Sequence, residues 1–544
     1  MERVTAITVT LLTDGSNPLS LKLTDIMTRI RNFTRYQLIL VLFLLCANAV
    51  KAGDWDIRPR LSVAEIFSDN INLSADDQES ELITEITPGI SIHGGGKRVT
   101  ADIDWNMQNL LYLNESDKSN TFHQLNAIAA AEVARDFFFI DATARARQVI
   151  IDANDTISDN NVNTTGNRTD TYGYSLSPYI LPHFGGWADG SFRYTYSQTK
   201  FDTGASDSNT QSFDAGLVSG RKFGPLSWLA NYNNTEQTRD TASDATYENA
   251  DGLARYFISN RFSFVGTAGY ANNDFQTSTE IVNGSYWSVG GFWQPNRYAS
   301  FEAQKGDNLE TATVGLFPTR RTALVVTYRD REVGLNPGPA WDGSFSHYTR
   351  RTSWSASYIE DTTTRQQEVL EDGGVAILGI DPVTGLVNDN PQPGDLVVSV
   401  PLPPVTSLTD QVTERKRASG TVGMKLGKTG LRLNVFNEER LLLTTLTEQV
   451  TKGISGSVNR RVAPRTNSIL TGSWQRRTDD SIDGTDQDYW FLDAQLTRRI
   501  SPKLRGTLSY TFTKSITTST STLNPNRDRG YSENKIVARL TAFF

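Results

Sequence analysis

Lys535-Ile536-Val537-Ala538-Arg539-Leu540-Thr541-Ala542-Phe543-Phe544 ends the chain, and its alternation decides the fold class. Ile536, Ala538, Leu540, Ala542 and Phe544 form one apolar row, while Lys535, Arg539 and Thr541 lie on the other face. Successive side chains of an extended backbone point to opposite sides, so this segment reads as a strand with one apolar and one polar face.

The same period recurs upstream. Ala101, Ile103, Trp105 and Met107 alternate with Asp102, Asp104, Asn106 and Gln108. Phe192, Tyr194 and Tyr196 alternate with Ser191, Arg193, Thr195 and Ser197; Leu508, Tyr510 and Phe512 alternate with Thr507, Ser509, Thr511 and Thr513. Thr352, Trp354, Ala356 and Tyr358 face away from Ser353, Ser355 and Ser357. Turn-forming clusters separate the runs, among them Gly94-Gly95-Gly96, Asn272-Asn273-Asp274 and Asp483-Gly484. Glycine and Asn/Asp supply the positive φ angles that hairpins require. Many runs reach the ~9–11 residues that a tilted membrane strand needs.

So many strands without a repeat signature argue against a propeller or solenoid. The apolar rows are rich in aromatics, and Trp105, Trp187, Trp228, Trp287, Trp293 and Trp354 suit the girdles of a membrane interface. A sheet in lipid must pair every backbone group, so it must close. The expectation is an all-β chain, a single transmembrane antiparallel β-barrel of roughly 16–24 strands with long extracellular loops.

The apolar run Leu38–Cys46 is too short to span a membrane as a helix. It follows Arg29, Arg31 and Arg35 and precedes the small-residue sites Ala47-Asn48-Ala49 and Val50-Lys51-Ala52. This is the pattern of a secretory signal peptide over residues 1–52, with Met27 a candidate true start. Residues 53–82 read as an N-terminal arm or first strand, and 83–544 as the barrel. A long loop at about 361–410, carrying Pro382, Pro391, Pro393, Pro401, Pro403 and Pro404, is expected to cap the mouth or fold inward. Shorter polar loops near 153–169, 202–209, 238–246 and 517–528 belong to the same side.

The net charge of -8 argues against a nucleic-acid partner. The one cysteine, Cys46, leaves with the signal peptide, which excludes thiol catalysis. His93, His123, His183 and His347 lie far apart in sequence, so no metal site and no cofactor are expected. The acidic stretch from Asp483 to Asp488 does not complete a calcium loop. The chain is therefore read as no enzyme, and only a rim Ser–His or Asp–His pair would reopen that question.

Asp141, Arg145, Arg147, Arg193, Arg329, Arg432 and Arg539 fall opposite apolar rows and are the candidate lumen-lining charges. Such groups either set a field that selects solutes or pair with acids and fill the barrel's interior. The row Ile536, Ala538, Leu540, Ala542 and Phe544 resembles the signal read by the outer-membrane barrel-assembly machinery. This places the protein in the outer membrane of a Gram-negative bacterium, with membrane lipid, lipopolysaccharide and that machinery as partners.

Trp55-Asp56-Ile57 with Pro59, then Ser68-Asp69-Asn70-Ile71 and Thr87-Pro88-Gly89-Ile90, resemble the start of the outer-membrane proteins associated with PEP-CTERM/exosortase systems. The long Pro/Asp-rich interruption is similar too. That resemblance implies an outer-membrane barrel linked to exopolysaccharide or PEP-CTERM protein export, as a conduit, with export components as partners. It carries over no catalytic residue. The residues themselves leave two alternatives open, a general porin for small solutes and a plugged structural or adhesive barrel with functional surface loops.

Overall fold

The computed structural model describes residues 53–544 except 153–154, 159, 164, 204–205, 279, 336, 365–374, 381–386, 389–395, 402–411, 482–483 and 520–528. Met1–Asp54 and Trp55–Phe544 are separate units. The segment expected to be the signal peptide lies outside the described residues.

The strands are numbered β1 to β27 in chain order. Twenty-four of them form one antiparallel sheet, and β1 (Asp54–Ser68) pairs with β27 (Arg529–Phe543) to close it. Their register runs from Arg60 opposite Phe543 to Ser68 opposite Lys535. Closure leaves neither the first nor the last strand with an unpaired edge, which lipid would not tolerate. The protein is thus a single transmembrane antiparallel β-barrel of an outer membrane. Within the expected long loop, β18 (Val375–Ile380), β19 (Val387–Asn388) and β20 (Leu396–Pro401) form a separate small sheet.

Both ends of the barrel chain lie at one rim. The turns there are tight, as at 297–298, 320–321, 427–428, 464–465 and 502–503. The opposite rim carries 69–80 and the described residues of 151–167 and 275–283. Short periplasmic turns and longer extracellular loops give the barrel its direction in the membrane.

The faces follow the alternation. On β1, Leu61, Val63 and Phe67 point outward and are exposed, as are Ile536 and Leu540 on β27. Ser62 and Thr541, one residue along, point inward and share a hydrogen bond of 2.9 Å between their hydroxyls. Trp287, Trp293 and Trp354 stand exposed on the outer wall. Trp187 and Trp228 meet edge-on across Phe223 at the periplasmic rim.

At two inward glycines the neighbouring backbone comes too close for any side chain. Gly290 lies on β12 (Gly284–Asn296) and Gly306 on β13 (Ala299–Asp307). A Cβ at Gly290 would sit 1.8 Å from the Ala303 carbonyl oxygen, and one at Gly306 1.9 Å from that of Trp287. No larger residue fits either position without moving backbone. Strands spaced ~4.8 Å and tilted ~40° would give a circular barrel of this strand number a backbone diameter of roughly 45–50 Å. Wall side chains alone cannot fill such a lumen, so what enters it from the loops matters for function.

Candidate functional site

The inward rows carry most of the charge that the sequence singled out. On β5 (Phe138–Ile150), Asp141 receives a hydrogen bond from Arg193 at 2.9 Å. The Arg193 guanidinium also lies 4.0 Å over the Tyr179 ring. Arg539 pairs with Glu85 at 2.9 Å. Arg145 stands opposite Asn126 and Gly173, and Arg147 opposite Thr171. Arg329 stands opposite Thr311 and Ala340, and Arg432 opposite Gly423 and Ser457. Of the seven, Asp141 and Arg193 are hydrogen-bonded, and Arg145 and Arg147 share the inward row of β5 with Asp141; Arg329, Arg432 and Arg539 stand on other strands.

Further inward pairs escaped the sequence reading, most of them because register brings together partners that are 21 or more residues apart. Arg255 bonds Glu302 at 2.6 Å and lies 4.7 Å over the Phe292 ring. Arg415 grips both oxygens of Asp361, at 2.9 and 2.6 Å. Glu438 sits between Arg417 at 3.0 Å and Arg440 at 2.5 Å. Acids on neighbouring inward rows thus hold several luminal arginines, so the wall mixes both signs.

The loop 151–167, between β5 and β6 (Arg168–Ile180), turns into this lumen. Its apolar anchors are Ile157 and Val162, which are 2% and 4% exposed. Val162 packs in one buried cluster with Ala64, Ile66, Ile71, Ile83, Leu110 and Tyr112. Ala64 and Ile66 lie on the inward row of β1, Ile83 on that of β2 (Glu81–Gly95) and Leu110 on that of β3 (Val99–Tyr112). These positions are apolar, whereas their inward neighbours Ser62, Ser68, Glu81 and Glu85 are polar. Left facing luminal water they would cost about 25 cal/mol per Å² of apolar surface, so the loop is held there by burial.

Polar contacts fix its position. The Tyr112 hydroxyl donates to the Val162 carbonyl at 2.5 Å, and the Tyr531 hydroxyl donates to that of Ile157. Asn161 Nδ2 donates to Gln108 Oε1 at 3.0 Å and to Gln148 Oε1 at 2.9 Å. Asn163 Nδ2 donates to Glu533 Oε1 at 2.8 Å. Glu533 is 1% exposed, and Ser68 Oγ at 2.6 Å and Lys535 Nζ at 3.4 Å satisfy the rest of its carboxylate. A buried carboxylate persists only when so partnered. The sequence did signal this loop, through two apolar residues in an Asn/Asp/Thr-rich stretch. The segment expected to cap the mouth or fold inward, 361–410, falls almost wholly outside the residues whose side chains are described.

A second contact crosses the mouth. The loop 275–283 joins β11 (Phe262–Asp274) to β12, and 443–446 joins β22 (Thr429–Leu442) to β23 (Thr447–Ala463). The Ser278 amide donates to the Leu443 carbonyl at 2.8 Å, and Thr444 Oγ1 to that of Gln276 at 3.2 Å. Phe275, Leu443, Ala245 and Val412 are buried together beside this bridge.

Two histidines do meet carboxylates. His93 lies 2.9 Å from Asp102, and His183 bonds Asp189 at the periplasmic rim, where both side chains are mostly exposed. His347 shares a hydrogen bond of 2.8 Å with the Thr322 hydroxyl. The His183–Asp189 pair is an Asp–His arrangement at a rim, but among the described residues no serine hydroxyl bonds an imidazole, so a nucleophile beside its base is not assembled there.

No family model matches the chain, and no curated protein matches it. Solved outer-membrane barrels do resemble it. The FrpB iron transporter of Neisseria meningitidis, F5-1 variant in its apoprotein form, aligns over 91% of this chain and 82% of its own at 10% identity and a TM-score of 0.47. A mutant form of the ferric enterobactin receptor PfeA of Pseudomonas aeruginosa aligns over 91% and 81% at 9% identity and 0.45. The siderophore receptor PirA of the same organism aligns over 90% and 80% at 9% identity and 0.41. These findings correct the expected membership in the PEP-CTERM/exosortase-associated group. No family model carries that assignment, and the three barrels just named are two receptors and an iron transporter. The link to exopolysaccharide and PEP-CTERM export, with the partners it implied, is withdrawn.

Proposed function

We propose that the protein is a non-enzymatic outer-membrane transport barrel that admits small polar solutes through a lumen narrowed by its own loop 151–167. The observation that carries this reading is the seating of Val162 and Ile157 against the inward faces of β1–β3 and β27. An inward loop reduces the free cross-section of a pore while the membrane-facing wall stays unchanged. Arg193 and Arg539 keep acidic partners, so passage depends on size more than on charge. The seven luminal candidates are assigned to lining this passage, and the terminal apolar row to recognition by the assembly machinery.

The test is swelling of proteoliposomes carrying refolded residues 53–544 in sugars of graded size. Swelling with a sharp size limit supports the reading. A second reading, a plugged scaffold, draws on the bridge between 275–283 and 443–446; it predicts no swelling with any solute.

A further inference from the structure

The hairpin of β2 and β3 places three chemically matched side chains on one patch of the lumen near the periplasmic rim. His93 is opposite Asp102, and Ser91 opposite Asp104. Nine and eleven residues separate the histidine from the two acids in sequence, so linear spacing hides the grouping that the hairpin register creates. One ligand atom from each of His93, Asp102 and Asp104 lies within 4.8 Å of the others.

The neighbours orient these groups. Asp102 Oδ1 is 2.9 Å from His93 Nδ1, a contact that favours the proton on Nδ1 and leaves the Nε2 lone pair on the side of Asp104. Asp104 Oδ1 is occupied by Ser91 Oγ at 2.5 Å and by Arg60 Nη1 at 3.3 Å. Its other oxygen, Oδ2, faces His93 Nε2 at 3.8 Å. A carboxylate on the far ring nitrogen and hydrogen bonds to the far carboxylate oxygen are what metal ligands ordinarily possess. Bonds of about 2.0–2.2 Å to a shared cation would bring nitrogen and oxygen somewhat closer than they stand, a change within reach of small side-chain rotations. His93 is 22% exposed and Asp104 39%, so solutes in the lumen reach both.

We propose that His93 Nε2 and Asp104 Oδ2 bind a divalent transition cation of the zinc class in the lumen, with Asp102, Ser91 and Arg60 as positioning residues and water completing the coordination. One imidazole nitrogen with carboxylate oxygen suits a borderline cation better than calcium or magnesium, which prefer all-oxygen sites. Arg60 keeps one oxygen of Asp104 neutralised, which limits the site to a modest, exchangeable affinity. That suits a passage wall better than a permanent structural metal.

The experiment is calorimetric titration of refolded residues 53–544 in detergent with zinc chloride, beside calcium chloride. One saturable zinc site is expected, with weaker or no calcium binding. His93→Gln and, separately, Asp104→Asn should each weaken zinc at least tenfold, and Asp102→Asn should weaken it about tenfold by releasing the ring. His183→Gln, at the exposed His183–Asp189 pair, should leave the titration unchanged. Unaltered β-sheet circular dichroism in the variants excludes misfolding as the cause. No saturable zinc binding, or binding that survives His93→Gln and vanishes with His183→Gln, overturns the proposal.

Discussion

Asn163 Nδ2 donates to Glu533 Oε1 at 2.8 Å, joining the inward loop to the last strand across 370 residues of chain. Glu533 reaches this position only because β27 pairs with β1, which also brings Ser68 Oγ to the same carboxylate. The narrowing of the lumen therefore depends on barrel closure. Glu533→Ala removes the carboxylate that Ser68 Oγ, Asn163 Nδ2 and the buried Lys535 ammonium share. Loss of a buried pair of this kind costs about 3 kcal/mol, whereas Glu533→Gln, which keeps an acceptor oxygen, should cost clearly less. Urea unfolding midpoints measure both, and equal losses would contradict the assignment.

The two phenols act on one segment. Tyr112→Phe and Tyr531→Phe each remove a hydroxyl and leave the ring, at about 1 kcal/mol each. Because both hydroxyls hold the loop, their effects should not add independently. An Asp-specific protease should cut near Asp152 and Asp155 faster in either variant and fastest in the double variant. Unchanged cleavage would mean that the buried Ile157 and Val162 and the Asn161 and Asn163 contacts hold the loop without the phenols.

Gly290 and Gly252 provide a steric contrast on the same sheet. A Cβ at Gly252 meets its nearest neighbour, the Leu229 carbonyl oxygen, at an ordinary 3.6 Å, against 1.8 Å to backbone at Gly290. Gly290→Ala should cost ~2 kcal/mol or more and lower refolding yield, while Gly252→Ala should refold normally. Heat stability of the folded band reports both.

The strand pattern was legible because lipid outside and water inside force alternation on every strand. Leu540 and Arg539 could be assigned to opposite faces without knowing their neighbours. Closure was legible from lipid chemistry alone. Pairing was not, since Arg255 and Glu302 or His93 and Asp102 meet only through register, which turn lengths and bulges set. The inward loop was half legible. Ile157 and Val162 mark it as more than a solvated loop, but the apolar patch that receives them is assembled from β1, β2 and β3. Short motifs near Trp55 and Thr87 suggested a family that the comparisons do not bear out, since matches of this length also arise from strand and turn chemistry.

Asp202, just beyond β7 (Ala188–Phe201) on the extracellular side, gives a pH dependence. Burial, then the negative charges of Asp170 and Asp207, raise its carboxyl above the usual range. An acid with a raised folded-state pKa favours the folded loop when protonated. Its contribution is full below the ordinary carboxylate range and is lost as pH rises through the raised value. Hydrogen exchange at the Thr203 amide, which donates to Thr169 Oγ1 at 2.9 Å, should slow on acidification after correction for intrinsic rates. Asp202→Asn should remove that dependence, and an unchanged profile in the variant would contradict it.

Single-channel conductance in a planar bilayer tests the central claim most directly, comparing refolded residues 53–544 with the Tyr112→Phe, Asn163→Ala, Tyr531→Phe triple variant. The account predicts a small steady conductance in the parent and a several-fold larger, noisier one when these three of the loop's polar anchors are removed. Equal conductance in the two proteins, or silence in both, would contradict a lumen narrowed by loop 151–167.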